Sequence, residues 1–200
     1  MSQKPPTLFD RVLSGSQSYR ARTCEQQPDF FKNLAAGQKP ELLWIGCADS
    51  RVPETTVCDC KPGDIFVHRN IANVVSPDDI SANSVLDYSV GVLKVNGIVV
   101  CGHTKCGGAA ASLGDADLGE ALNTWLAPIR EMRKKHQEEL DQLASDDERA
   151  ARLAGLNVQR SLETLRQNKT VIKAMEERDL KLYGVIYDLA DGELRVLERE

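Results

Sequence analysis

The sequence predicts an α/β fold with a mainly parallel central β-sheet flanked by helices, an N-terminal helical arm and one antiparallel edge strand. Short continuous apolar runs, each too short for a helix, are typical of buried parallel strands. Longer amphipathic segments separate these runs, as crossover helices do. Near the C-terminus, Asp191 and Gly192 form a turn signal between two apolar runs, which predicts a hairpin.

The arm comprises residues 1–37 and the α/β domain residues 38–200. From residue 8 to about 36 the chain is polar with apolar residues at helical spacing, closed by Gly37 and Pro40, so helices are predicted there. In the domain, strands are predicted at residues 42–47, 65–69, 97–103, 182–187 and 194–197.

Helices are predicted between these strands. Apolar residues recur at helical spacing over residues 82–93, and Gly107 opens the next helix. Pro128 is assigned to the first position of a helix whose apolar spacing continues over residues 129–143. A capping box at residues 145–148 starts a further helix, and a second one follows it before the next strand.

Composition narrows the classes of protein. With 42% hydrophobic and 28% charged residues, the chain can bury the core of one globular domain. The 25 basic and 30 acidic residues give a net charge of −5, and the basic ones are scattered, which argues against nucleic acid and anionic membrane partners. No apolar stretch approaches the ~18 residues of a membrane span, and residues 1–6 carry no export signal. We therefore expect a soluble, cytoplasmic protein.

The six cysteines are the most informative part of the composition. A chain of this length and apolar content without an export signal does not need disulfides, so metal binding, nucleophilic chemistry or core packing are the expected roles. Cys101 lies in an apolar strand and is expected in the core. No role is assigned to Cys24, Cys58 and Cys60.

Two thiols and an imidazole follow predicted strands. Cys47 ends the first strand, His103 ends a later one, and Cys106 comes three residues after His103 at the start of a helix, where a thiolate is favoured. Because the carboxyl ends of parallel strands meet at one edge of a sheet, these residues are expected to converge. Two cysteines and one histidine predict a Zn²⁺ site with an open fourth position, which is typical of catalytic zinc.

Asp49 and Arg51 follow the first strand and are two residues apart. This spacing lets the guanidinium form a bidentate hydrogen bond to the carboxylate. Two roles are open to this Asp. It accepts a hydrogen bond from metal-bound water and orients the nucleophile, or it binds zinc as the fourth ligand and shuts the site.

Each fragment alone has a plain structural reading. Cys47 alone fits a core cysteine, His103 with Cys106 alone fits a chance match, and Asp49 with Arg51 alone fits a weak surface ion pair. Their combination favours a site. The other two histidines, His68 and His136, are interpreted as structural.

The combination of Cys47, Asp49, Arg51, His103 and Cys106 resembles the β-class carbonic anhydrases of bacterial and fungal type. The similarity runs from about residue 40 to residue 200 and includes residues 43–53, 66–73, 101–103 and 184–188. It implies a zinc enzyme that reversibly hydrates carbon dioxide to bicarbonate and a proton. It also implies a homodimer in which N-terminal helices of one subunit cross the other, often paired into a tetramer.

One subset of this family has a noncatalytic bicarbonate pocket, and Trp44, Arg69 and Tyr187 stand at the matching places. The hypothesis is that bicarbonate bound there favours Asp49 on zinc, and that activity recovers as the pH rises. The alternative is that Trp44 and Tyr187 are core aromatics and Arg69 is an ion-pair partner. Tyr88 matches a family position suggested for proton relay, although a tyrosine on a half-buried helix usually serves packing.

The carbon dioxide pocket is expected to include Val52 and Ile71. Three other functions stay open. The same ligands would serve a carbonyl sulfide or carbon disulfide hydrolase, since the same nucleophile attacks those carbons. Tight bicarbonate binding without turnover would make the chain a sensor, and a fourth Cys or His ligand would make it a structural zinc domain.

Overall fold

The computed structural model describes residues 6–199, which contain a five-stranded sheet of order β2-β1-β3-β4-β5. The strands are β1 (Leu42–Cys47), β2 (Ile65–Asn70), β3 (Gly97–His103), β4 (Lys181–Tyr187) and β5 (Leu194–Arg199). The first four run parallel, and β5 pairs antiparallel with β4. The predicted fold class, a mainly parallel sheet with an antiparallel edge strand, is confirmed.

The chain forms two compact units that meet in sequence between Gln38 and Lys39. The first unit contains α1 (Leu8–Gln26) and α2 (Phe30–Ala36). A capping box starts α1, because the Thr7 hydroxyl accepts the Asp10 N–H at 3.1 Å while the Asp10 carboxylate accepts the Thr7 N–H at 2.7 Å. Residues 1–5 of the predicted arm and its predicted uncleaved start lie outside the described residues.

The second unit holds the sheet and the remaining helices. These are α3 (Glu54–Val57), α4 (Ile80–Leu86), α5 (Gly107–Ala111), α6 (Glu120–Lys135), α7 (Gln137–Asp141), α8 (Asp146–Arg166) and α9 (Lys169–Arg178). A 3₁₀ turn, Ile71–Asn73, follows β2, and a π-helical turn, Asp87–Val92, extends α4. Helix α8 starts at the predicted capping residue Ser145, whose hydroxyl accepts the Glu148 N–H at 3.2 Å, and packs on β3 and β4.

Side chains alternate between two faces of the sheet, and each face has its own apolar cluster. On the α8 face, Leu43, Ile45 and Cys47 of β1 join the large cluster packed under α8. On the Trp44 face, Trp44 joins a smaller cluster. Its other buried members are Val99, Cys101 and Val185. Cys101 thus lies in a core position, at 1% exposure.

The structure corrects the prediction for Pro128. This residue lies inside α6 instead of at its first position, because the apolar face is continuous through it: Leu126 and Ile129 are both buried. Burial on both sides of the proline outweighs the one backbone hydrogen bond that it removes. The helical spacing predicted over residues 129–143 is interrupted at His136, where α6 ends and α7 follows.

The helix predicted over residues 82–93 is also divided, into α4 and the π-helical turn. The Ser89 hydroxyl donates to the Val85 carbonyl at 2.7 Å, and such a bond competes with the regular helical ladder. The Leu93 N–H consequently bonds the Tyr88 carbonyl, five residues back. Within residues 6–199, no helix has the length and apolarity that crossing a membrane requires.

Candidate metal centre

Three predicted ligands meet at the carboxyl ends of β1 and β3. Cys47 is the last residue of β1 and His103 the last of β3, and the two strands pair directly in parallel. Cys106 follows at the position that caps α5. The sulfur atoms of the cysteines and a ring nitrogen of His103 all lie within 4.8 Å of one another, and all three residues are buried.

The orientation of His103 leaves one ring nitrogen free. Its Nδ1 lies 2.8 Å from the carbonyl oxygen of Thr104, which only accepts, so Nδ1 carries the hydrogen. Its Nε2 is buried and has no hydrogen-bond partner among residues 6–199. Thr104 is itself anchored, since its N–H donates to the Tyr187 carbonyl at 3.0 Å and its hydroxyl accepts the Leu189 N–H at 2.9 Å. The imidazole therefore presents a lone pair to the two sulfurs.

The donor set fits a zinc ion. Zinc takes Cys sulfur at about 2.3 Å and His nitrogen at about 2.0–2.1 Å in tetrahedral sites, so ligand atoms stand roughly 3.5–3.8 Å apart. Three donors within 4.8 Å match that arrangement. A buried imidazole nitrogen without a partner costs folding free energy, and a metal ion removes this cost. Cys47, His103 and Cys106 could thus hold the metal.

The two cysteine thiols differ in acidity. A hydrogen bond from the Cys106 thiol lowers the pKa of Cys47, against the opposing effect of burial. The Ala72 N–H also donates to Cys47 Sγ, at 3.3 Å. That same thiol–thiol hydrogen bond, together with burial, raises the pKa of Cys106. The first proton therefore leaves Cys47, and a bound dication would displace the second.

Asp49 is held beside the ligands by Arg51. The Arg51 side chain donates from Nε to Oδ1 at 2.9 Å and from Nη2 to Oδ2 at 2.7 Å, and its backbone N–H donates to Oδ1 at 2.9 Å. These hydrogen bonds hold the pKa of the Asp49 carboxyl well below its usual range. Asp49 Oδ2 lies 3.8 Å from His103 Nε2. An ionised oxygen of fixed orientation thus faces the cluster.

Arg51 also bonds the segment that carries Cys106. Its Nη2 donates to the Lys105 carbonyl at 3.1 Å. Lys105 has a φ of 56°, in the left-handed region that is uncommon outside glycine. This conformation turns the chain between His103 and Cys106, so that both donor atoms reach one point.

Arg69 lies on the Trp44 face and donates hydrogen bonds to the turn that carries Asp49. Its Nε donates to the Cys47 carbonyl at 2.9 Å and its Nη2 to the Asp49 carbonyl at 2.5 Å. Its Nη1 lies 3.7 Å from Glu54 Oε2. The Arg69 guanidinium is therefore hydrogen-bonded to the backbone of the segment that carries Cys47 and Asp49.

Trp44 and Tyr187 lie on this same face, as their register positions require. Trp44 is 3% exposed within the small apolar cluster, and Tyr187 packs against that cluster. The Trp44 indole covers Gly46, where a Cβ atom would stand 2.6 Å from Nε1. Trp44, Arg69 and Tyr187 thus share one sheet face. His103, which pairs with Tyr187 in the register, ends β3 on that same side, whereas Cys47 belongs to the apolar cluster under α8.

The remaining predicted site residues are not among the three clustered donors. Tyr88 packs its ring against Phe66, with centroids 5.7 Å apart, in the amino-terminal half of β2. Val52 is buried beside the Asp49 turn, whereas Ile71 is 44% exposed.

The two other histidines have partners of their own. His68 Nε2 lies 3.1 Å from the Asn70 amide, and His136 Nδ1 lies 3.2 Å from Glu139. Cys101 donates to the Gly102 carbonyl at 3.1 Å, and burial raises its pKa to about 12. The other cysteines outside the cluster, Cys24, Cys58 and Cys60, are free thiols of intermediate burial.

Sequence reasoning missed the segment that follows β2. Asn70 closes it with a pair of hydrogen bonds, accepting the Val74 N–H at 2.8 Å and donating to the Val74 carbonyl at 2.9 Å. An asparagine at a strand end is typical of such a local turn, and this signal was available. No comparable signal marks Ala72, because its left-handed conformation is rare for alanine.

Comparisons with known proteins agree with this geometry. A family model described as carbonic anhydrase matches residues 42–194. A carbonic anhydrase of Emericella nidulans is 44% identical over 189 residues, which cover 94% of this chain and 82% of that protein.

Solved structures give the same result. Tetrameric β-carbonic anhydrases of Sordaria macrospora superpose with a TM-score of 0.93 at 48% identity, covering 94% of this chain and 96% of that one. A β-carbonic anhydrase of Aspergillus fumigatus also gives a TM-score of 0.93, at 47% identity over 96% of this chain and 91% of that one. With this sequence match, this fold and these three clustered donors, the chain belongs to the β-carbonic anhydrase family.

Proposed function

We propose that this protein is a zinc enzyme that reversibly hydrates carbon dioxide to bicarbonate and a proton. The observation that carries the proposal is the cluster of Cys47, His103 and Cys106, with His103 Nε2 unpartnered and Asp49 Oδ2 3.8 Å from it. Three protein donors leave one coordination position for water, as catalytic zinc sites do. The carbonic anhydrases that it resembles support the substrate.

Zinc, when bound, lowers the pKa of water enough to supply hydroxide near neutral pH. The chain's own residues then set the direction of attack. Asp49 is ionised at neutral pH because Arg51 stabilises its charge, so its Oδ2 accepts a hydrogen bond from the attacking oxygen and does not donate one. This orients an oxygen lone pair toward the substrate carbon. Two thiolates and a neutral imidazole balance the charge of the dication.

Carbon dioxide must reach the site before this step, and the proton must leave it afterwards. Carbon dioxide is apolar, and buried Val52 beside the Asp49 turn supplies an apolar wall for it, with Ile71 as the second proposed lining residue. The proton passes to buffer, with Tyr88 as the proposed relay. Its contact with Phe66 also fits a packing role, so Tyr88→Phe distinguishes the two: slower turnover in dilute buffer supports the relay.

We further propose that bicarbonate at Trp44, Arg69 and Tyr187 inhibits the enzyme. Arg69 supports this, because it donates to the carbonyls of Cys47 and Asp49. An anion that attracts its guanidinium would loosen those bonds and release the turn, letting Asp49 leave Arg51 and bind the metal. The pair Asp49–Arg51 is intact in the structure, which is the arrangement proposed for the active state.

The test of the main proposal is stopped-flow carbon dioxide hydration on protein of measured zinc content, across pH and with added bicarbonate. We expect turnover that rises with pH and falls with bicarbonate. Full zinc occupancy without turnover at any pH would contradict the enzyme and favour a bicarbonate sensor. Faster turnover of carbonyl sulfide or carbon disulfide than of carbon dioxide would favour the hydrolase.

A purely structural zinc domain is the least supported alternative. Such a site needs a fourth Cys or His, and the cluster formed by the described residues has three members. Turnover that depends on bound zinc would contradict this alternative, because a structural ion leaves no position for water.

We propose a homodimer that pairs into a tetramer, located in the cytoplasm. Its support is the apolar side of α1, where Leu8, Phe9 and Val12 are exposed in the single chain, together with the tetrameric Sordaria macrospora relatives. Free thiols suit a reducing compartment. Light scattering on the full chain and on Phe9→Glu tests the assembly: we expect a tetramer for the first and smaller species for the second.

A further inference from the structure

The 3₁₀ turn Ile71–Asn73 holds an alanine in a conformation that alanine disfavours. Ala72 has φ 59° and ψ 27°, in the left-handed region where the Cβ atom of an L-residue is crowded. Ala72 is 2% exposed, so solvent does not support this conformation. Neighbouring groups must therefore hold it.

The strained conformation directs one backbone donor at the metal centre. The N–H of Ala72 points to Cys47 Sγ, at 3.3 Å. Hydrogen bonds from backbone N–H groups stabilise charge on a sulfur ligand and so change how strongly that sulfur binds a metal.

Two side chains from different helices hold the peptide groups on either side of Ala72. Trp125 of α6 donates from Nε1 to the Ile71 carbonyl at 2.9 Å, and that carbonyl shares a peptide plane with the Ala72 N–H. Asn157 of α8 donates from Nδ2 to the Ala72 carbonyl at 2.8 Å, which belongs to the next peptide. The indole, the first peptide and the sulfur thus form one hydrogen-bonded chain, whose members polarise each other.

Asn157 has no evident role apart from this bond. It is 2% exposed, and its Oδ1 has no hydrogen-bond partner among residues 6–199. A buried amide with an unpaired oxygen is costly, and an apolar side chain of similar size would serve packing alone better. Within residues 6–199, the side chain of Asn157 makes one hydrogen bond, to the Ala72 carbonyl.

We propose that Trp125 and Asn157 are positioning residues that fix the Ala72 N–H on Cys47 Sγ and thereby set how tightly the centre holds its metal. This inference rests on the metal centre of the proposed function. It assigns to α6 and α8 a part in metal retention, although neither helix supplies a ligand.

The experiment uses the full chain loaded with Co²⁺, whose bond to thiolate sulfur gives a charge-transfer absorption band, and with Zn²⁺ challenged by a chelator. Loss of the N–H···S bond raises the energy of the sulfur lone pair, so Trp125→Phe and Asn157→Leu should each move the band to longer wavelength. Zinc release should accelerate about tenfold, as is typical when an outer partner of a ligand is lost.

Ser161→Ala is the matched control. Ser161 is buried one turn further along α8, and its hydroxyl has no partner among residues 6–199, so the band should not move. In the double variant Asn157→Leu with Ala72→Gly, the glycine adopts the left-handed conformation without the hydrogen bond from Asn157. Slow zinc release should therefore return.

Trp125→Phe and Asn157→Leu proteins that are folded, with the band and the zinc release rate of wild type, would overturn the inference. If Asn157→Leu fails to fold, Trp125→Phe decides alone, because it keeps an aromatic ring at this position and removes the N–H donor. Wild-type protein that binds Co²⁺ without a thiolate band would instead contradict the metal centre itself.

Discussion

The metal cluster at the carboxyl ends of β1 and β3 and the Trp44 face of the sheet differ in how their functional residues are used. In the metal cluster, Cys47, His103 and Cys106 converge, and His103 Nε2 has no partner among the described residues. On the Trp44 face, the guanidinium of Arg69 is already occupied by two backbone carbonyls and lies near Glu54. The metal cluster has an unmet requirement for a ligand, whereas Arg69 on the Trp44 face acts on that cluster through the backbone.

This difference separates binding from control. A change in the metal cluster is expected to alter metal content or the chemical step. A change on the Trp44 face is expected to leave the metal in place and to alter stability or the response to bicarbonate. The predictions below test that division.

Cys106→Ser is expected to have the largest effect. Removing one of three protein ligands should lower zinc affinity by at least about 100-fold, beyond the 10–100-fold typical of outer partners, and activity should fall with it. Metal analysis and stopped-flow hydration measure both. Cys101→Ser, on the Trp44 face, is the control and should keep zinc; retention of zinc and activity by Cys106→Ser would remove this residue from the centre.

Asp49→Asn should lower kcat about 100-fold at unchanged zinc content, because the amide nitrogen cannot accept a hydrogen bond from the attacking oxygen. Steady-state hydration together with metal analysis tests this. Asp59→Asn, an exposed residue beyond the site, is the control. Equal loss of zinc and of activity in Asp49→Asn would show that this carboxylate serves the metal instead of the nucleophile.

Arg51→Gln should lower kcat about tenfold and raise the pKa of Asp49 toward its ordinary value of 3.8, since the Arg51 hydrogen bonds are the main cause of its lowering. Carbon-13 NMR of the carboxyl group follows this titration. Arg195→Gln, which removes ion pairs to Asp188, Asp191 and Glu193 in the hairpin, is the control. An unchanged Asp49 titration would contradict the assignment.

The same pair makes a prediction for stability against pH. Because the folded pKa of Asp49 is lowered, its ion pair stabilises the fold at pH values above 3.8, and this contribution is lost as the pH falls through the folded pKa. Urea denaturation should therefore show a difference in the free energy of unfolding between wild type and Arg51→Gln that is constant at neutral pH and disappears in acid. A difference that grows in acid would contradict the lowered pKa of Asp49.

Gly46→Ala should have the smallest effect on catalysis. The added Cβ would lie 2.6 Å from Trp44 Nε1, so the indole must move, at a cost of about 1–3 kcal/mol in the free energy of unfolding. Zinc content should be unchanged and inhibition by bicarbonate weaker. Thermal unfolding, metal analysis and inhibition curves measure the three quantities. Loss of zinc would show that the metal cluster and the Trp44 face are not separable at this strand.

The sequence was sufficient to predict the strands and the residues that converge. The apolar run at residues 42–47 is too short for a helix and fits a buried strand. The residues at the carboxyl ends of parallel strands lie at the same edge of the sheet, so their convergence was predictable. Pro128 was wrongly placed because burial of Leu126 and Ile129 decides where α6 runs, and burial is a property of the folded chain. The predicted roles of the site residues remain predictions.

What sequence could not provide was the support behind the ligands. Ala72, Trp125 and Asn157 come from three elements, and each residue type has an ordinary structural explanation where it stands. Their joint effect depends on the approach of α6 and α8 to the turn after β2. Neither periodicity nor spacing contains that information.

The pairing of β1 with β3 also bears on when the centre forms during folding. These strands are neighbours in the sheet but not in the chain, since β2 and α4 lie between them in sequence. Such contacts close a long loop and are slow to form. An unfolded chain therefore offers scattered thiols, and the three donors meet only after the sheet is assembled. A metal ion bound there would stabilise the finished fold by mass action.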